Sequence, residues 1–197
     1  GYQTHQSQGL HVDNCDVVGL LCLKAAKVGG VSQVVSSMHV YNELLRRYPW
    51  YVGVLYNPFA IDMRGQEREG ESPVYYRPVY SYYDGLLSCG VNFTYIRSAQ
   101  AKTGVSLTAV QTEALDLMEH LASELSYEMA LVPGDMQFLN NYVILHDRTP
   151  YIDYAEPERR RHLVRLWLSV PNGRRLAPEF RSRYAETLRS YALNPRV

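Results

Sequence analysis

Residues 9–23 read GLHVDNCDVVGLLCL, and the interpretation of the whole chain hangs on this stretch. Its second half, Val17 to Leu23, is a short apolar run that predicts a buried strand over 17–26. Just ahead of it stand His11 and Asp13. In extended backbone, residues two apart project to the same face, so both side chains could grip one cation at the strand's mouth. A His-x-Asp pair taken alone is more often a polar strand entrance. The metal reading therefore needs a third ligand from elsewhere in the chain.

Composition narrows the options. The 197 residues suit one domain, 1–197, with a sizeable core. Lys+Arg and Asp+Glu both number 20, which leaves no electrostatic footprint for nucleic acid or an anionic membrane. The apolar run at 17–23 is far shorter than the roughly 20 residues a membrane helix needs. No signal peptide is visible, and Cys15, Cys22 and Cys89 are odd in number without a C-x-x-C pair. A reduced, cytoplasmic protein with neither disulfides nor a thiolate zinc site is expected.

Further along, the turn KVGG (27–30) leads to a second strand, SQVVSS (32–37). Ser37 is placed to cap a helix in which Met38, Tyr41, Leu44 and Leu45 share a face, with Pro49 as its stop. Residues 57–73 read as a polar loop, and short strands are expected from Val74 to about Tyr95, hinged at YDG. Seventeen tyrosines are unusual, and those in YYRPVYSYYDG (75–85) suit half-exposed strands better than a substrate-facing aromatic wall. Thr108 begins the clearest helix, 108–125, with Ala114, Leu115, Met118, Leu121 and Leu125 as its apolar stripe. His120 on that helix reads as a structural histidine. Asp135 falls in a PGD turn before a strand, and a further strand ends at His146. With one or two covering helices, this order of many short strands indicates a β-rich barrel or sandwich.

The last strand, 161–170, alternates Arg161, Leu163, Arg165 and Trp167 with His162, Val164, Leu166 and Leu168. Both sets are largely apolar, so burial on both faces is expected. Two arginines on one buried face must then be compensated, either by internal acids or by a carboxylate-bearing ligand. The pattern leaves both options open.

Four stretches in order, HVD (11–13), GGVS (29–32), PGDMQFLNNYVILH (133–146) and RRRHLVRLWL (159–168), resemble the TauD/TfdA family of Fe(II)- and 2-oxoglutarate-dependent dioxygenases. The resemblance covers most of the chain. It implies a mainly β fold with flanking helices, the double-stranded β-helix or cupin-like jelly-roll barrel. It also implies that His11, Asp13 and His146 are the catalytic iron ligands, a 2-His-1-carboxylate set that leaves coordination positions open. Ser32 stands where the family often has a threonine on the far carboxylate of 2-oxoglutarate. Arg161, fifteen positions after His146, matches the arginine that pairs with that carboxylate. Arg165 matches a second arginine that in some members meets the substrate's anionic group, and Asn141 matches a supporting residue. The implied reaction oxidises a C–H bond of a small organic substrate with O₂, converting 2-oxoglutarate to succinate and CO₂.

Desaturation, cyclisation and epoxidation would use the same ligands, whereas halogenation is disfavoured because Asp13 is retained. Neither a nucleic-acid nor a membrane partner is implied, and homo-oligomerisation is compatible with the reading. The family domain extends further upstream of its His-x-Asp than the ten residues before His11, so an N-terminal segment is expected ahead of this chain. Two other readings remain: a non-catalytic metal-binding β-barrel acting as a binding or structural protein, and a zinc hydrolase on the same ligands, which would need no Arg161.

Overall fold

A computed structural model of the protein describes residues 7–180. Along the chain, β1 spans Val17–Lys24, β2 Val28–Gly29 and β3 Ser32–Ser36, followed by helices α1 (Ser37–Arg47) and α2 (Pro49–Leu55). Strands β4 (Pro58–Asp62), β5 (Val74–Pro78), β6 (Tyr80–Tyr83) and β7 (Leu86–Cys89) come next. Helices α3 (Phe93–Thr103) and α4 (Ala109–Glu124) precede β8 (Tyr127–Met129), β9 (Met136–Asn140) and β10 (Ile144–Arg148). The last strands are β11 (Tyr151–Ile152) and β12 (His162–Leu168).

Two three-stranded antiparallel sheets, β12-β1-β9 and β10-β3-β8, form the jelly-roll centre. Alternation decides what each face does. In the second sheet, Val35 sits opposite Leu145 and both are buried beneath the helices. The main core lies there, joining these two to Val40, Leu44, Leu55, Phe59, Leu115 and Met118 among others. The opposite face of the same strands carries Ser32 and His146 into a cavity between the sheets. Ser32 Oγ reaches Gln137 Oε1 on β9 at 3.1 Å, which ties the sheets across that cavity.

Several local expectations need correction. Ser36, not Ser37, caps α1: it closes β3 in extended backbone, and its Oγ accepts from His39 N–H. Ser37 is buried, with its carbonyl accepting from Tyr80 OH. Pro49 ends α1 but also opens α2, because its missing N–H costs nothing in a first helical turn. Residues 58–62 are strand rather than loop; Phe59 and Ile61 are each 1% exposed, and their alternation is hidden among turn-forming neighbours. From Phe93 the chain is helical, with Asn92 Oδ1 accepting from Tyr95 N–H as its cap. Four helices, not two, therefore flank the sheets among the described residues. Helix α4 has the expected Thr108 cap, completed by Gln111 as a capping box. His120 is exposed, 4.0 Å from Glu124.

Strand β12 is buried on neither face: its inward Leu163 and Trp167 are half-buried and Arg165 is more exposed. Its outward residues Val164 and Leu166 are 37% and 55% exposed, beside Phe138 at 59% and Met136 at 67%. The strand lies at the sheet's edge, beside β1. The inward set Leu163, Arg165 and Trp167 alternates as the sequence implies.

The β2–β11 pair carries a close backbone approach. Gly29 has φ 73°, and a Cβ there would stand 2.2 Å from the Pro150 carbonyl oxygen. Gly29→Ala should destabilise the protein by at least about 1–2 kcal/mol from the left-handed backbone alone. Denaturant unfolding measures this, and an unchanged midpoint would contradict it.

Candidate active site

His11 forms a two-way bridge with His146 at the edge of β10: each N–H donates to the other's carbonyl, at 3.0 and 2.8 Å. The bridge sets the two rings side by side, tilted by 47° with centroids 4.7 Å apart. The chain then turns toward the other sheet, so Asp13 stands where the two sheets approach. Its N–H donates to Asn141 Oδ1 at 3.2 Å, and its Oδ2 accepts from Trp167 Nε1 at 2.8 Å. Arg165 Nη1 lies 3.5 Å from the same oxygen. Asp13 is held from three directions.

The ligand atoms that His11, Asp13 and His146 could offer all lie within 4.8 Å of one another. His11 Nε2 is 3.7 Å from Asp13 Oδ1, and His146 Nε2 is 3.7 Å from Asp13 Oδ2. Two ligands about 2.1 Å from one ion at angles of 90–120° lie roughly 3.0–3.6 Å apart, so a cation fits with small adjustments. His11 Nδ1 lies 2.8 Å from Gly9 O, a contact that favours a proton on that nitrogen and a lone pair on Nε2. The buried His146 Nδ1 has no partner among the described residues. Two neutral imidazoles and one carboxylate suit Fe(II).

Electrostatics agree. Burial raises the Asp13 carboxyl, but the hydrogen bond and charge of His146, with His11 and Arg165, outweigh it and hold it at about 2. Burial lowers His11, and the neighbouring His146 lowers it further. The sign follows. The folded chain keeps His11 neutral where the unfolded chain would protonate, so metal-free stability falls as pH drops below 6.5. Asp13 contributes stability that is present above pH 3.8 and lost as pH falls through about 2. Mn(II) binding, followed by titration, should therefore weaken only at a pH below 6.5, where His11 takes up its proton. A loss beginning well above pH 7 would contradict the lowered His11.

On one side of the cluster lies a cavity of about 190 Å³ that Ser32, Gln137, Arg148, Arg161 and Arg165 help to line. Arg161 and Arg148 carry like charges there; burial, then Arg148, lowers the Arg161 pKa. Arg161 donates its backbone N–H to Asp153 Oδ1 at 2.7 Å, and its guanidinium lies 5.2 Å from the Tyr151 ring centroid, with the Asp153 charge acting on it but no ion pair formed among the described residues. Arg165 does form one, with Asp13, and its side chain is 37% exposed rather than deeply buried. Of the two arginines lining this cavity, Arg165 is thus the one paired with an acid.

His11, Asp13, His146, Ser32, Arg161 and Arg165, singled out as site residues from sequence, come together here. Sequence reasoning missed three supports. Trp167 was visible as the next inward residue after Arg165. Gln137 could have been found by the same alternation on β9. The cavity on the cluster's other side, about 300 Å³ and lined by Asn14, Tyr75, Arg77, Asn92 and Tyr95 among others, had no sequence signal beyond its tyrosines. Asn141 is fully buried, its Nδ2 donating to Cys15 Sγ while its Oδ1 holds the Asp13 backbone. Asn141→Ala should cost about 1–3 kcal/mol, because the Asp13 N–H loses its partner. Thermal unfolding with and without metal reads this; an unshifted Tm would show that the contact carries no load.

Two histidines and an aspartate thus converge between the sheets of a jelly roll as a candidate metal centre. The chain belongs to the TauD/TfdA family: the model for "Taurine catabolism dioxygenase TauD, TfdA family" matches residues 1–167. It is 41% identical over 179 residues to FR-33289 synthase of Streptomyces rubellomurinus, covering 88% of this chain and 53% of that protein. It is 33% identical over 177 residues to the taurine hydroxylase-like protein SAT17 of Stachybotrys chartarum, covering 84% of this chain and 44% of that one. The chain thus spans about half the length of these curated relatives. Among solved structures, an asparagine oxygenase in complex with Fe(II), 3-hydroxyasparagine and succinate superposes with a TM-score of 0.66 at 21% identity, over 86% of this chain and 52% of that one. The non-haem iron oxygenase OrfP with Fe and alpha-ketoglutaric acid gives 0.61 at 16%, over 83% and 50%. These structural likenesses bear on the fold.

Proposed function

We propose that this chain forms the catalytic core of an Fe(II)- and 2-oxoglutarate-dependent oxygenase acting on a C–H bond of a small organic molecule. The observation that carries the reading is the convergence of His11, Asp13 and His146 beside a cavity walled by Ser32 and Arg161. Bound Fe(II) with 2-oxoglutarate and O₂ would supply the oxidising power, releasing succinate and CO₂. The chain's own residues supply position. His11, oriented by Gly9, and His146 hold the metal as neutral ligands. Trp167 and Arg165 keep Asp13 from swinging away from them. Arg161 gives the far carboxylate of 2-oxoglutarate a planar guanidinium partner, and Ser32 Oγ becomes a second donor once its proton turns from Gln137 Oε1 to the ligand. A metal-binding barrel without catalysis would not require a cation left without an acid in that cavity. No helix in the described residues is long and apolar enough to cross a membrane.

The test is succinate release from 2-oxoglutarate in air with Fe(II). Turnover that needs both Fe(II) and 2-oxoglutarate supports the reading. Absence of 2-oxoglutarate binding by the iron-loaded protein would overturn it.

A further inference from the structure

The second cavity on the far side of the cluster shares Asn14, Gln66, Tyr75, Arg77 and Tyr95 with a neighbouring cavity of about 410 Å³. Together they form one run from His11 and Asp13 out toward β5. Arg77 stands at the junction and is only 5% exposed. Its Nη2 donates to Gly90 O at 2.8 Å, and its Nη1 to Asn14 Oδ1 at 3.3 Å. The buried Nε has no partner among the described residues. No described carboxylate pairs with this guanidinium.

A buried cation compensated only by a carbonyl and an amide is unfavourable unless a further group neutralises it. Packing explains how Arg77 is held, since its guanidinium lies against the rings of Tyr75 and Phe180 at 5.8 and 5.5 Å. It does not explain the uncompensated charge. The geometry points to Arg77 as the anchor for an oxyanion head group on the enzyme's substrate, either a carboxylate or a tetrahedral phosphate-type group. This deepens the oxygenase reading and rests on it.

The placement gives a direction to the bound molecule. Arg77 lines the same cavity as His11 and Asp13, so a head group on Arg77 would share that cavity with the candidate metal ligands. Asp62, Glu71 and Glu179 line the outer cavity, which would confine an anion to the Arg77 end. Tyr75 and Tyr95 offer aromatic walls between. Ser32 and Arg161 do not line this cavity, although Gln8, His11 and Arg165 line both, so substrate and 2-oxoglutarate would carry their charges on different arginines.

The experiment titrates the full chain, loaded anaerobically with Fe(II) and 2-oxoglutarate, with inorganic phosphate, acetate and neutral acetamide by calorimetry at low salt. At least one anion should bind at least about tenfold more tightly than acetamide. Preference for phosphate or for acetate tells which head group the site takes. Arg77→Gln should weaken that anion at least about tenfold and leave 2-oxoglutarate affinity within about twofold. Equal anion binding by wild type and a folded Arg77→Gln would overturn the inference, as would no anion binding to the wild type. Should Arg77→Gln fail to fold, Gly90→Ala decides: its Cβ would stand 2.8 Å from Arg77 Nε and displace the guanidinium without removing it. Anion binding should fall severalfold there, and an unchanged affinity refutes the assignment. The same titrations keep the two readings apart. Arg77-dependent anion binding without 2-oxoglutarate binding would retain the anion site and remove the oxygenase assignment.

Discussion

Asp13→Ala should abolish Fe(II)-dependent succinate formation and weaken metal binding beyond the ~10–100-fold that loss of a supporting residue costs. The carboxylate is the only acid in the three-residue cluster and the sole anionic contribution to the donor set. Its removal also takes the acceptor from Trp167 Nε1 and the counter-charge from Arg165. The fold should survive, because Asp13 lies at the cavity wall and its loss removes no apolar core volume. Circular dichroism and thermal unfolding verify that point before metal binding is measured. His120→Ala is the matching control: that ring is exposed on α4 and should leave iron affinity unchanged. Wild-type turnover in a folded Asp13→Ala would remove Asp13 from the ligand set.

The second large effect is expected from the arginines, and here the structure sharpens what the strand pattern leaves even. Arg161→Lys keeps the charge but loses the planar fork. It should raise the apparent KM for 2-oxoglutarate about tenfold or more, since a charge-assisted pair with a carboxylate is at stake. Arg165→Lys should change that KM less, because Arg165 already pairs with Asp13 and also lines the cavity shared with Arg77. Its effect should fall on the substrate and on metal retention. If Arg165→Lys alone weakened 2-oxoglutarate, the anchor would belong one strand repeat further along β12. If neither variant altered it, both arginines would be structural and the cosubstrate assignment would fail.

What the sequence revealed follows the physics of alternation. The inward set of β12 was legible because side chains on a strand repeat every two residues, and His11 and Asp13 were legible for the same reason. His146 and the roles of Ser32 and Arg161 came through the family resemblance, since nothing local says that β10 will lie beside residue 11. The errors also have causes. Apolar residues on both faces of β12 suggested double burial, but hydrophobicity does not say which layer covers a face; Val164 and Leu166 remain exposed. Phe59 and Ile61 alternate over too few residues to outweigh the prolines, glycines and charges around them. Helix α3 was hidden because Phe93, Tyr95 and Ile96 have strand-like propensities, and only the Asn92 cap opposes them. Arg77 sat unremarked within a tyrosine-rich strand. Its meaning is tertiary, arising where β5 meets Asn14 and Gly90.

The most direct test is a crystal structure grown anaerobically with Fe(II) and 2-oxoglutarate. The account predicts one metal with His11 Nε2, an Asp13 oxygen and His146 Nε2 about 2.0–2.2 Å away. It further predicts the far carboxylate of 2-oxoglutarate on Arg161 and Ser32. A metal bound elsewhere, or 2-oxoglutarate seated away from Arg161, would contradict it.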